Sequence, residues 1–378
     1  MNGCITVQPD CKNCSSAIND SGRCLNYSRN SAKFWVLDAV FGTLLGFLVV
    51  WSHEFLIPDS WPLPWFFLAS MSIVMVLQTL LSFFIGNLIG EMEAMIPGGF
   101  IGMGAMLIAY LPFPNRDLMF AAGALAGLII SMVFVISDVV LRKVPLEEPQ
   151  RPRSIKKISP PSFTLRTPSL LRDLQEFAGA RRRAFAQKAL FANMGESVLF
   201  VAAGSGLNFA NFPPHRNIVA IDVNTEALGR AQARAKAYDG TLQLMEADVQ
   251  NLPFETEAFD TVATASTFCS VPDPRQGLSE LYRVLKPGGR LLMLEHVRSG
   301  NFLIAFQQDV MNRVMRFLGS DVNRDTVAVV RDAGFVIDHI RSAYLDVFLM
   351  IDGHKSIRTS HEVMTGSEFQ RNYQSHKR

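Results

Sequence analysis

The sequence predicts an α/β domain with a mostly parallel β-sheet, preceded by an all-α transmembrane domain of four helices. Hydrophobic residues make up 49% of the 378-residue chain, and their excess lies before residue 142. After residue 170, apolar strand patterns alternate with helical patterns, which is the order that builds parallel sheets. The predicted organisation is a tail (1–33), a transmembrane domain (34–141), a linker (142–169), the α/β domain (170–356) and a polar tail (357–378).

Four long apolar stretches account for the membrane prediction, at residues 34–51, 61–90, 94–115 and 118–137. The last three contain no charged residue. Because about 20 apolar residues in a helix cross a bilayer, each stretch is long enough for one crossing. A large apolar soluble domain is the alternative. Four pairs of glycines at four-residue spacing predict close helix packing: Gly42 and Gly46, Gly86 and Gly90, Gly98 and Gly102, and Gly123 and Gly127.

Basic residues predict how the chain is oriented. They precede the first span and follow the last one, so both termini and the α/β domain are expected on the cytoplasmic side. The linker is rich in proline and basic residues, which predicts an extended segment near anionic lipid headgroups. With a net charge of only +2, the chain is expected to contact membrane lipids and no nucleic acid.

The segment VLFVAAGSGLNF, from Val198 to Phe209, predicts a buried strand that ends in a glycine turn. Small residues at Ala202, Gly204 and Gly206 let a backbone approach a nucleotide-like ligand, although similar turns also occur without one. A second strand, NIVAID, ends at Asp222. This is roughly the twenty-residue offset at which an acid binds ribose hydroxyls. The alternative for that acid is an ordinary strand-end turn.

Three more segments continue the alternation: LQLMEADVQNLPF, FDTVATASTFCSVPDP and GLSELYRVLKPGGRLLMLEHV. In the last one, the LKPGG turn is expected to end a helix, and the next strand to begin at Arg290. Together with FDTV, this turn resembles class I S-adenosylmethionine-dependent methyltransferases, in the broad group of ubiquinone/menaquinone C-methyltransferases and type 11 methyltransferase domains. The resemblance covers roughly residues 170–355 and implies a Rossmann-like, seven-stranded, mostly parallel sheet that binds S-adenosylmethionine.

The resemblance also implies roles for individual residues. Gly204, Ser205 and Gly206 would lie against the methionine part of the cofactor, Asp222 would hold the ribose, and Asp248 with Val249 would meet the adenine. A strand-end cap is the alternative for Asp248. The implied cofactor site is completed by Ala202 and Thr267. Cys269, Ser270 and Asp273 are expected beside the substrate, with a pocket wall as the expected role of Cys269. At the end of the fifth strand, His296 and Glu295 are the candidates for handling a proton, with a structural hydrogen-bonding role as the alternative.

One position departs from the family pattern. The acid that usually precedes the glycines is absent, because Phe200 and Ala202 occupy the positions in front of the first glycine. Loss of such a charge-assisted network costs on the order of 1.5 to 3 kcal/mol. The substitution therefore predicts weaker cofactor binding. It also keeps open an alternative in which the chain is a membrane transporter or sensor with a non-catalytic, ligand-binding domain.

Four of the five cysteines fall in the first 24 residues: Cys4, Cys11, Cys14 and Cys24. Four thiolates suffice for one zinc ion or another soft metal, but only one C-x-x-C pair is present. A disordered tail without metal is the alternative. Further along, residues Ala305 to Leu318 are expected to cover the substrate site with an apolar face, and Tyr344 to Ile351 to form one late strand.

These features predict a membrane-anchored methyltransferase that acts at the cytoplasmic face. Its expected substrate is a lipophilic or membrane-associated small molecule, since anchoring concentrates such molecules near the site. A quinone precursor or an aminophospholipid ranks first, and a thiol or a soft metal or metalloid ranks second.

Overall fold

The structure is a computed structural model that describes residues 28–57, 91–143, 183–317 and 319–357, together with parts of 62–81. The described residues of the first half include the helices α1 (Ser28–Leu56), α2 (Leu68–Gln78), α3 (Glu91–Ala109) and α4 (Arg116–Leu141). Asn115 caps the start of α4, because its side chain accepts a hydrogen bond from the Leu118 amide at 2.8 Å. We call these four helices the helical unit.

Glycines bring α1 and α4 into direct backbone contact. Gly42 lies against the backbone of Gly127, and Gly46 against that of Gly123, so that a Cβ atom at any of the four would overlap the opposite helix. This confirms the packing predicted for these two pairs. At one end of α1, Arg116 forms an ion pair with Glu54 at 2.6 Å, so the two helices run antiparallel.

Gly98 and Gly102 of α3 face Gln78 and Val74 of α2, as close packing requires. Gly86 and Gly90 lie outside the described residues. Two helices are long and apolar enough to cross a membrane, Lys33–Leu56 and Arg116–Leu141, whereas Leu68–Gln78 and Ala94–Ala109 are shorter. Because most of residues 79–90 are not described, the expectation of four crossings stays a prediction.

The second half forms one seven-stranded sheet flanked by helices. Its strands are β1 (Ser197–Val201), β2 (Asn217–Asp222), β3 (Thr241–Glu246), β4 (Phe259–Ala265), β5 (Leu285–His296), β6 (Val336–Tyr344) and β7 (Phe348–His354). Their order across the sheet is β3-β2-β1-β4-β5-β7-β6. Only β7 is antiparallel to its neighbours, which confirms the mostly parallel seven-stranded sheet. The helices of this unit are α5 (183–191), α6 (Thr225–Lys236), α7 (Pro274–Val284), α8 (Phe302–Phe317) and α9 (Thr326–Asp332).

Two details of the strand prediction were wrong. The strand after α7 begins at Leu285 rather than at Arg290, because the KPGG residues continue alongside β4 through a register shift, with Gly288 at a φ of 75°. The segment from Tyr344 to Ile351 is not one strand. The chain turns between Tyr344 and Phe348, so the two residues end β6 and begin β7.

The helical unit packs against the edge of the sheet at which β5 and β6 end. The Leu345 amide, just beyond β6, donates to the Asp138 carboxylate of α4 at 2.8 Å. Gln307 of α8 donates to the carbonyls of Met95 and Ile96 in α3, each at 2.9 Å. Parallel strands present their carboxyl ends at one edge, and ligands of open α/β sheets bind there. The helical unit therefore stands beside the edge that would hold a ligand.

Candidate cofactor and acceptor site

The turn after β1 has the backbone conformation that the sequence predicted for a ligand loop. Ala202, Gly204 and Gly206 have φ values of 59°, 52° and 81°, in the left-handed region that favours glycine. The Ala203 amide donates to the Ile221 carbonyl at 2.9 Å, which ties the loop to β2. The Gly206 amide donates to the Ala203 carbonyl at 2.9 Å, so the loop closes on itself at the carboxyl edge of the sheet.

Asp222 occupies the end of β2 and is held in place by the loop it faces. One carboxylate oxygen accepts from the Gly204 amide and the other from the Asn224 amide, both at 2.8 Å. Each oxygen keeps a second lone pair for another donor. This arrangement suits a carboxylate that accepts two ribose hydroxyls, as the sequence predicted for Asp222.

Ser205 gives independent evidence that the loop fits a ligand. Ser205 is 2% exposed, and its Oγ atom is buried without a hydrogen-bond partner among the described residues. Buried hydroxyl groups in folded proteins are nearly always satisfied. The neighbouring carbonyl is occupied, because Arg234 of α6 donates to the Ser205 oxygen at 2.7 Å. Arg234 therefore holds the loop in place, while the Ser205 hydroxyl has no partner among the described residues. An unsatisfied hydroxyl group in the loop fits a site that receives a polar ligand.

Phe200, which replaces the expected acid, belongs to an aromatic cluster. It is fully buried, and its ring centroid lies 4.8 Å from that of Phe212, 5.9 Å from that of Phe191 and 6.4 Å from that of Phe209. The side chain therefore fills the core beneath the loop. Asp222 and Arg234 hold the loop through their hydrogen bonds to the Gly204 amide and the Ser205 carbonyl. The loop accordingly keeps its shape without an acid at position 200.

Glu295 anchors the second loop of the site, which follows β4. It is fully buried and accepts hydrogen bonds from the Thr264 hydroxyl at 2.6 Å, the Thr267 amide at 3.0 Å and the Phe268 amide at 3.0 Å. Burial raises the pKa of Glu295 to about 7, although these hydrogen bonds oppose the rise. Thr267 in turn donates to the Val201 carbonyl at 3.2 Å, so the loop is joined to the end of β1.

His296 has a structural environment. Its ring centroid lies 3.8 Å from that of Phe348, and the Arg183 guanidinium lies over the same phenyl ring. Burial, with the positive charge of Arg183, lowers the pKa of His296 to about 3. General bases work best when their pKa is near the ambient pH. The imidazole is therefore poorly suited to proton abstraction, and its buried Nδ1 has no hydrogen-bond partner among the described residues.

The three residues expected beside the substrate lie in the loop that Glu295 anchors. Cys269 is 7% exposed and its Sγ lies 3.4 Å from the Ser266 carbonyl, which fits a pocket wall. The Ser270 hydroxyl donates to the Thr267 carbonyl at 2.9 Å. Asp273 is the N-cap of α7, because its carboxylate accepts from the amides of Arg275 and Gln276.

Asp248 and Val249 follow β3, where the adenine was expected. Asp248 accepts from the Gln250 amide at 2.9 Å and from its side-chain nitrogen at 3.0 Å, so its carboxylate already closes a local turn. It remains exposed, whereas Val249 is buried. The four amino-terminal cysteines lie outside the described residues, and within the described part of the chain no group of three metal-ligating side chains occurs.

Sequence reasoning missed the residues that brace the two loops. Arg324 donates to the Phe268 and Val271 carbonyls, each at 2.6 Å, and thereby helps Glu295 to fix the loop after β4, which we call the acceptor loop because the candidate substrate residues lie in it. Arg234 does the same for the glycine loop. Nothing in the local sequence marks either arginine, since the contacts depend on elements far apart along the chain.

A family model described as a methyltransferase domain matches residues 199–293, which hold most of β1, both loops and most of β5. This match covers about a quarter of the chain and agrees with the resemblance. The ubiquinone/menaquinone biosynthesis C-methyltransferase of Hahella chejuensis is 34% identical over 139 residues, covering 35% of this chain and 56% of that protein. The protein of the same name in Geotalea daltonii is 38% identical over 120 residues, covering 30% and 51%.

The chain thus spans about half the length of the curated relatives it matches. Among solved structures, it is similar to a SAM-dependent methyltransferase from Methanosarcina mazei at 19% identity and a TM-score of 0.37, covering 44% of this chain and 96% of that one.

Proposed function

We propose that this protein is an S-adenosylmethionine-dependent methyltransferase. The observation that carries the proposal is the glycine loop, with the Asp222 carboxylate held by the Gly204 and Asn224 amides and the Ser205 hydroxyl buried without a partner among the described residues. The methyltransferase domain match over the same residues supports it.

S-adenosylmethionine supplies a methyl group on a positively charged sulfur, and transfer requires mainly that sulfur, methyl and acceptor lie in line. The chain's residues have positioning roles in this proposal. Asp222 binds the ribose hydroxyls, and Ser205 and Gly206 contact the methionine part. Glu295 positions the acceptor loop through Thr267 and Phe268, and Cys269 forms part of the acceptor wall.

We further propose that the helical unit crosses the membrane, with the methyltransferase domain on the cytoplasmic side. The apolar surface of α1 and α4 supports this, because many large side chains on these helices are exposed: Val36, Val40, Trp51, Phe55, Leu125, Ile129, Val133, Ile136 and Val140. A core helix of a soluble protein would bury such residues. The start of α1 and the end of α4 lie at the same end of the unit, as an even number of crossings requires.

The proposed acceptor is a lipophilic molecule, with quinone-type compounds first. The named substrates of the curated relatives favour this class, and so does the position of the helical unit beside the carboxyl edge of the sheet. An apolar acceptor dissolved in the bilayer around the helical unit would have only a short distance to travel to the site.

Calorimetric titration of the full chain in detergent with S-adenosylmethionine tests the cofactor proposal. Asp222→Asn is expected to weaken binding roughly tenfold to a hundredfold, since hydrogen bonds to a charged group contribute on the order of 1.5 to 3 kcal/mol. Asp338→Asn is the matched control, because this aspartate pairs with His354 at 2.9 Å, near the edge of the sheet opposite the loop. Transfer of labelled methyl from the cofactor into a membrane extract then identifies the acceptor. Absence of binding by the unaltered chain would refute the proposed function.

A further inference from the structure

Helix α8 exposes large apolar side chains, while two of its amide side chains, Gln308 and Asn312, are buried. Its outward stripe consists of Phe302, Leu303, Phe306 and Val310, which are 78%, 59%, 59% and 38% exposed. At 3.6 residues per turn, these positions form one stripe of about 100° along the helix. A helix on the surface of a soluble domain normally presents polar residues on that face.

The inward face of α8 combines the apolar Ala305 and Met315 with two amide side chains that are hydrogen-bonded. Gln308 donates to the Val297 carbonyl at 3.0 Å and accepts from the Ser299 amide at 2.8 Å. Asn312 donates to Asp321 at 2.9 Å and accepts from the Val322 amide at 2.8 Å. These hydrogen bonds fix the rotation of the helix, so the apolar stripe cannot turn inward without breaking them. Of the apolar side chains expected to cover the substrate site, Ala305 and Met315 are therefore buried in the domain, whereas Phe306 and Val310 point outward.

The stripe adjoins the helical unit. Gln307, next to Phe306 on the helix surface, donates to the Met95 and Ile96 carbonyls of α3. Gly99 makes this approach possible, because a Cβ atom there would overlap the Gln307 amide. At the far end of the stripe, Arg313 is exposed and forms no ion pair within the described part of the chain. A long basic side chain beside an apolar stripe suits the boundary between hydrocarbon and anionic headgroups.

We propose that the outer face of α8 is a lipid-binding surface that lies in the cytoplasmic leaflet beside the helical unit. The contact of α8 with α3, which packs against α1 and α4, favours lipid as the occupant, since a bilayer that surrounds those helices would also reach a stripe held against α3. The inference rests on the proposed membrane insertion. It adds that the methyltransferase domain is seated in the bilayer surface by its own helix.

The test uses the full chain reconstituted in vesicles of phosphatidylcholine and phosphatidylglycerol, with the photoreactive residue benzoylphenylalanine at one position at a time. Position 306 is expected to give lipid adducts on illumination, detected as a mass increase on the peptide that contains it. Position 357 is the matched control. Ile357 is 68% exposed and equally apolar, but lies near Gly288 at the opposite edge of the sheet and should give no lipid adduct.

Position 129 on α4 separates this inference from the proposed anchor, because Ile129 is 54% exposed on a helix expected to cross the bilayer. Lipid adducts at 129 and at 306, without adducts at 357, support the surface. Adducts at 129 but none at 306, or adducts at 306 to another part of the chain or to a second copy, overturn it while the anchor stands. Absence of lipid adducts at 129 overturns the anchor and the inference together.

Discussion

Ser205 allows a single hydroxyl group to be tested for a role in ligand binding. Because its Oγ has no partner among the described residues, Ser205→Ala removes a buried polar atom without breaking a hydrogen bond. We expect the free energy of unfolding to stay the same or to rise by about 1 kcal/mol, while affinity for S-adenosylmethionine falls several-fold. Thermal unfolding and calorimetry on the same preparation measure the two quantities.

A second buried serine is the control for that comparison. The Ser342 hydroxyl donates to the Leu345 carbonyl, far from the glycine loop. Ser342→Ala should therefore lower stability by about 1 kcal/mol and leave cofactor affinity unchanged. If Ser205→Ala instead loses stability and keeps its affinity, the Ser205 hydroxyl is part of the core and not of the site.

Glu295 predicts a particular dependence of stability on pH. Its pKa is raised from 4.5 to about 7 by burial, so the folded chain binds a proton that the unfolded chain has released between these values. The contribution of Glu295 to stability is thus fully present below pH 4.5 and is lost as pH rises through 7. A shift of this size corresponds to about 3 kcal/mol.

Glu295→Gln keeps the shape of the side chain and removes its titration. The stability of the variant relative to the unaltered protein should rise by about 3 kcal/mol between pH 4.5 and 8, measured by chemical unfolding in detergent at several pH values. A constant difference across that range would show that the carboxyl group titrates normally in the folded chain.

At the scale of elements, β1 and its loop show that a missing motif residue need not leave a defect. Phe200→Asp restores the family's acid but places a charge in a cluster of three other phenyl rings. We expect it to destabilise the domain by more than about 3 kcal/mol and not to strengthen cofactor binding. Phe200→Leu retains the apolar volume and should cost less than about 2 kcal/mol. Unfolding curves of both variants decide the matter, and a stable Phe200→Asp domain with tighter binding would contradict the packing argument.

The elements also show why some predictions succeeded and others could not. Strand alternation, the glycine turn and the position of Asp222 follow from spacing along the chain, and the structure has them where the sequence placed them. Glu295 holds the loop after β4, because its carboxylate accepts from the Thr267 amide. Spacing along the chain does not predict that contact. The apolar stripe of α8 is visible in the sequence, but its direction is set by Gln308 and Asn312 and their distant partners.

At the scale of the whole molecule, the two units are joined by the Leu345–Asp138 hydrogen bond, by Ile96 packed into the α/β core and by the Gln307 hydrogen bonds, of which only the last depend on Gly99. Gly99→Ala would push a Cβ atom into the Gln307 amide, and the two hydrogen bonds from Gln307 to α3 would be lost. Because α8 is held on its other face by Gln308 and Asn312, the domain should stay folded while its contact with the helical unit loosens. Hydrogen exchange of the α8 amides, followed by mass spectrometry, should therefore become faster.

Gly104→Ala is the matched control on the same helix. A Cβ atom at position 104 would meet only the terminal methyl of Ile130, which can move aside, and nothing of the methyltransferase domain. Exchange of the α8 amides should then match that of the unaltered chain. Equal exchange in both variants would mean that Gln307 does not hold the two units together. Faster exchange in Gly99→Ala alone, with unchanged affinity for S-adenosylmethionine, would mean that contact with the helical unit stabilises α8. It would also mean that this contact does not affect the glycine loop.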